Sequence, residues 1–171
     1  MAQKAGKKRT FPGWRAVWPW LAVLAVYTVI AWFSAQPGEV SDAQSALITD
    51  MLGFQAEWFT TLVRKFAHVS LFLGLGAAAG FASLRSDGAG APRRFRRAVL
   101  RAVMLCAALA ALDEFHQLFV PGRTGSVSDV ALDTVSAALG ALCSVGVARM
   151  WARRKRPQSF ASTRKNARKN R

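Results

Sequence analysis

DEFHQLFVPGRTGSVSDVALD, residues 113–133, lies between two apolar runs, 102–112 before it and 134–148 after it. Within it sit four carboxylates (Asp113, Glu114, Asp129 and Asp133) together with His116, Gln117 and Arg123. Charged groups at the edge of a hydrophobic span are expensive unless they are paired or used. The central PGRTGS, residues 121–126, is rich in turn formers and only a few residues long. It predicts a tight antiparallel helical hairpin with a polar rim.

Working outward, the whole chain supports a bilayer. Of its 171 residues, 52% are hydrophobic and 19% charged, and the apolar residues are gathered in long runs. That distribution suits one membrane domain better than a water-soluble core. Four spans are expected, at about 17–33, 62–84, 98–120 and 127–151, giving an all-α polytopic protein built as a four-transmembrane-helix bundle. Trp18, Trp20 and Trp32 flank the first span as interfacial aromatics do, and Pro19 is expected in its first turn. A basic start before an apolar run also describes a signal peptide. The length of the run, and Phe33 at the −3 position of a cut after Ala35, argue instead for a retained span. Cys106 and Cys143 both fall in apolar runs and read as buried free thiols.

The net charge of +15 suggests nucleic acid or an anionic surface until the charges are sorted by position. Twenty-one of the 24 Lys and Arg lie in the N-terminal tail, around the loop between the second and third spans, and from Arg149 onward. Residues 34–61 carry Glu39, Asp42, Asp50 and Glu57 but no Lys or Arg. The positive-inside rule therefore puts both termini in the cytoplasm and this acidic loop outside. The basic tails, 1–15 and 152–171, then serve topology and attraction to anionic lipid, the latter tail as a disordered segment, and no nucleic-acid partner is expected.

With that topology the polar groups of three spans collect at one depth, in the outer half of the membrane. Arg64, Lys65 and His68 come from the second span. Asp113, Glu114, His116 and Gln117 come from the third, and Asp129 and Asp133 from the fourth. Arg123 hangs over them from the turn. Helical spacing puts Arg64 with His68 on one face, Asp113 with His116 and Gln117 on another, and Asp129 with Asp133 on a third. One reading is an ion-pair network that glues the helices, with Arg64, Lys65 and Arg123 neutralising carboxylates. The other is a ligand pocket open to the outer surface, and it is favoured because interhelical hydrogen bonds average only about 0.6 kcal/mol in membranes. Carboxylates and imidazoles also suit divalent ions, but the spacing demands no metal and no cofactor is expected. Gly76 and Gly80, a GxxxG pair, predict close packing within the monomer, with homo-oligomer contacts as the lesser alternative.

SAQPG at 34–38, RKFAHVSLFLGLG at 64–76 and DEFHQLFVPGRTGSVSDVALDTVSAALG at 113–140 together resemble the VanZ-like family of small bacterial membrane proteins. The resemblance covers roughly residues 16–150 and puts Lys65, His68, Asp113, Glu114, Gln117, Arg123 and Asp129 at motif positions. The family often has two serines before the glutamine, whereas here Ser34 is followed by Ala35. What the resemblance implies is a multi-pass protein of the bacterial cytoplasmic membrane with a role in the cell envelope. The family is named after an accessory protein of glycopeptide resistance associated with low-level resistance to teicoplanin, so a link to antibiotic tolerance is implied as well.

Three functions fit these residues. The favoured one is binding or transport of an anionic envelope lipid or glycolipid precursor, with the cations gripping phosphate. The second is an intramembrane hydrolase or transferase using the carboxylates, a histidine and Ser34. No GxSxG, HExxH or nucleotide loop is present, so the balance is against an enzyme. The third is a scaffold for an envelope protein partner.

Overall fold

The computed structural model describes residues 14–51, 53, 57–86 and 93–154. They form five α-helices and no strand: α1 (Trp14–Ser34), α2 (Gly38–Met51), α3 (Glu57–Ser86), α4 (Arg94–Gln117) and α5 (Val127–Arg154). Most of the two basic tails, and the center of the loop between α3 and α4, lie outside the described residues.

Three of these helices are long and apolar enough to cross a membrane, over Val17–Ser34, Trp58–Ser86 and Val127–Arg154. The hairpin expected around residues 121–126 joins α4 to α5. α4 carries four arginines near its start and Asp113 and Glu114 near its end, which leaves a shorter purely apolar center.

The interior is built from small residues and the exterior from large ones. Ala79, Ala82, Ala102, Ala110, Ala137 and Ala141 are fully buried, as is Cys106. Leu24, Trp32, Met104, Leu139 and Leu142 are exposed. A water-soluble core would reverse that order, whereas helices in lipid gain stability by close backbone approach. The approach is tightest between α3 and α5, where Gly76 lies against the Ala137 backbone and Gly140 against Leu73. A Cβ at Gly80 would sit 3.1 Å from Ala141 Cα and 2.7 Å from the Ser144 hydroxyl, so the GxxxG pair packs within the chain as expected. Phe72 and Leu75 fill the remaining space, and α3 packs against α1, α4 and α5.

Four details differ from the sequence reading. Residues 38–51 are helical rather than loop. α1 begins at Trp14, which places the buried Pro19 inside the helix instead of in its first turn. α4 stops at Gln117 rather than continuing to residue 120, because Phe119, Val120 and Arg123 donate into successive tight turns toward His116, Gln117 and Val120 carbonyls. Cys106 is buried but Cys143 is exposed on the outer face of α5, and both thiols are free.

The added helix has three distinct faces. Gly38, Ser41, Ser45 and Thr49 are buried at helical spacing. Val40, Leu47, Ile48 and Met51 are exposed apolar residues, and Glu39, Asp42 and Asp50 form an exposed acidic edge. A helix with inward hydroxyls, an apolar face and a charged edge matches one lying in the membrane interface.

Candidate functional site

The site forms where the C-terminal ends of α1 and α4 meet α2 and the N-terminal halves of α3 and α5. Its base is a buried hydrogen-bond network. Ser34, fully buried at the end of α1, donates to Asp113 Oδ2 at 2.8 Å, and Gln117 Nε2 donates to the same oxygen at 3.0 Å. Asp113 and Gln117 are one helical turn apart, so both project inward from α4. His116 falls to the side of that stripe, is exposed, and lines neither cavity described below. The next residue in the network, Glu114, accepts the backbone N–H of Ser126 at 2.7 Å and thereby holds the start of α5.

A second layer is ionic. Lys65 Nζ lies 2.8 Å from Asp129 Oδ1, joining α3 to α5. His68 Nδ1 lies 3.5 Å from Asp133 Oδ2, close enough for ion pairing but long for a hydrogen bond. That Asp133 oxygen is buried and has no hydrogen-bond partner among the described residues. Arg64 reaches Asp42 on α2 at 3.0 Å, a partner outside the four carboxylates of the hairpin.

Arg123 does something else again. Its Nη2 donates to the Phe33 carbonyl at 3.2 Å and its Nε to the Gln36 carbonyl at 3.3 Å. Phe33 lies in the last turn of α1, where its carbonyl also accepts the Gln36 N–H at 3.4 Å, and Gln36 lies in the link to α2. Burial, and then the like charge of Arg64, push the Arg123 guanidinium below its ordinary pKa. Backbone fixes the rest of this corner: Gly38 N–H donates to the Pro121 carbonyl at 3.0 Å. Gly38 also packs against the Gly122 backbone with no room for a Cβ, and Gly122 has φ +71°, a value that favors glycine. The PG of the turn and the PG that opens α2 are thus locked together.

Two cavities meet at this corner. One, of about 120 Å³, is polar. Its walls are Arg64, Lys65 and His68 of α3, Glu114 and Gln117 of α4, the turn from Gly122 to Ser126, and Asp129 and Asp133 of α5. The other, of about 220 Å³, is lined by Ile30 and Phe33 of α1, the Ser41–Ile48 side of α2, and Val63, Ala67 and Leu71 of α3. Arg64, His68 and Arg123 belong to both walls. Eight of the ten residues singled out in the sequence line the polar cavity; Asp113 lies just beneath it and His116 apart from it. Sequence reasoning missed Gln36, Asp42 and Ser126, whose roles depend on α2 and on a backbone N–H. Ser34, offered by the sequence as a nucleophile, lines neither cavity and spends its proton on Asp113. No three His, Cys, Asp or Glu side chains among the described residues are grouped to hold a metal ion.

Neither a curated protein nor a solved structure matches the chain. The VanZ/LLP1 family does, over residues 19–149, a stretch that contains all five site-forming segments. With that match over most of its length, and helices of membrane-spanning length and composition, the chain is a membrane protein that belongs to the VanZ/LLP1 family.

Proposed function

We propose that the paired cavities bind one amphiphile, an anionic envelope lipid or glycolipid precursor, with its headgroup among the charged residues and a chain in the apolar neighbor. The observation that carries this reading is the shared wall of Arg64, His68 and Arg123 between a polar and an apolar cavity. A soluble anion needs only the first cavity and a purely apolar ligand only the second.

The lining also favors a particular headgroup. Arg64, Lys65 and Arg123 face Glu114, Asp129 and Asp133 across the polar cavity, so its charges are balanced. A phosphate suits the cations, Arg123 especially, whose only partners are backbone carbonyls among the described residues. Hydroxyl or amine donors on the same headgroup suit the orphaned Asp133 oxygen. In this reading α4 is a fourth span beside the three apolar ones. Both termini lie in the cytoplasm of a bacterial cell, and the cavities face outward at the cytoplasmic membrane. The distribution of 21 of 24 basic residues supports that orientation. Engagement of an envelope lipid would be the point at which the chain influences tolerance to teicoplanin-type glycopeptides.

Native mass spectrometry of the detergent-extracted protein tests the reading, with wild type compared with K65Q and A67W. Lys65 faces the polar cavity, and Ala67 lines the apolar one. A phosphate-bearing lipid retained by wild type and lost from both folded variants is the expected result. Loss from K65Q alone would indicate a soluble anion. The same bulk phospholipid on all three proteins would reduce the cluster to a structural network.

A further inference from the structure

We propose a second lipid site at the opposite end of the molecule: the groove between the start of α4 and the end of α5 binds an acidic phospholipid. The groove is a cavity of about 350 Å³ with Arg96 and Arg149 at its rim and Val99 and Val145 in its wall. Phe95 stands between two guanidiniums, Arg94 4.8 Å from its ring center and Arg149 5.7 Å from it. The ring thereby holds Arg149 over the groove by cation–π attraction.

Charge decides the occupant. No Asp or Glu occurs anywhere in residues 93–112 or 134–154, so neither helix offers Arg96 or Arg149 a carboxylate at this end. Basic pockets between membrane helices, with an apolar wall below, take phosphate headgroups with their chains alongside. Room for the chain exists at Gly146, where a Cβ would meet nothing within 4 Å. A helical glycine without a packing neighbor forgoes helix stability, and here it keeps the groove open. The phosphate lies between Arg96 and Arg149, and one acyl chain runs over Val145 and Gly146.

The test uses the full chain in phosphatidylcholine vesicles doped with phosphatidylglycerol bearing a diazirine on one acyl chain, with crosslinks mapped by mass spectrometry. Label is expected on residues 95–100 and 142–149, well above that from diazirine-phosphatidylcholine. In R96Q/R149Q labeling of the groove at limiting lipid should fall about thirtyfold, which corresponds to about 2 kcal/mol for two surface arginines. G146L, which fills the groove without a clash, should also lose label there. R153Q/R154Q removes the same charge from the last turn of α5, outside the groove, and should keep it. Equal loss in both arginine pairs would mean diffuse attraction and overturn the site. So would equal labeling by the two lipids, or a chain-to-chain crosslink through Leu142, which would give the groove to a second copy. Because the label reports position, occupancy of the outer cavities does not affect the result.

Discussion

The two ends of this small protein treat charge in opposite ways. At the α2 end, cations and carboxylates are mixed, three pairs of them meet across helices, and Asp113, Glu114 and Asp133 are buried. At the end formed by the start of α4 and the close of α5, the described helices carry arginine alone, mostly exposed, some of it resting on Phe95. Net charge fixes orientation and draws acidic lipid, and it needs no precise geometry. Balanced charge within a span has no such use. It is expensive to bury unless its groups are satisfied, and here Ser34, Gln117 and the Ser126 N–H satisfy Asp113 and Glu114 while one Asp133 oxygen is left over.

The sharpest way to break the comparison is at the seam joining the two ends. Replacing Gly140 by valine drives a side chain into the Leu73 backbone of α3. We expect a loss of more than about 4 kcal/mol, with no folded monomer recovered in mild detergent. If size-exclusion chromatography still gives a folded monomer with only one end altered, the ends are separate units. D113A comes next. It strands the Ser34 hydroxyl and the Gln117 amide, and the thermal unfolding midpoint should drop by the equivalent of about 2–3 kcal/mol. D113N keeps an acceptor for Ser34 and should lose less.

Arg123 ties two segments rather than two charges. In R123A two charge-assisted bonds to the Phe33 and Gln36 carbonyls disappear, an expected loss of about 2 kcal/mol. Hydrogen exchange should rise locally in residues 33–41, and an even rise over the whole chain would refute a local tie. The smallest effect belongs to K65Q. The Lys65–Asp129 pair is partly exposed, so unfolding should shift by less than about 1 kcal/mol even though lipid retention is lost. A large destabilization there would make the pair structural and remove its distinction from the buried network.

Much of this contrast is legible in the sequence because it depends on spacing and sign. The hairpin around PGRTGS, the inward stripe of Asp113 and Gln117, and the α3–α5 contact at Gly76 and Gly80 follow from helical periodicity and turn chemistry. What the sequence reading misses traces largely to α2. Its residues mix apolar, hydroxyl and acidic types, so no single stripe announces a helix, although Ser41, Ser45 and Thr49 at four-residue spacing were a readable signal. Without α2, Arg64 has no Asp42 to meet, and it is assigned to the carboxylates of the hairpin. His116 shows the limit of face counting, since one residue of offset from Gln117 turns it outward. The partners of Arg123 are backbone carbonyls, which no side-chain pattern encodes.

The corner where Gly38 meets Pro121 and Gly122 has a consequence for biogenesis. Arg123 closes the end of α1 from 87 and 90 residues further along the chain. A nascent chain that holds only α1, α2 and α3 lacks the guanidinium that bridges the Phe33 and Gln36 carbonyls and the Pro121 carbonyl that receives the Gly38 N–H. That corner is therefore closed only once the α4–α5 hairpin has been made, and neither cavity has its full wall before then.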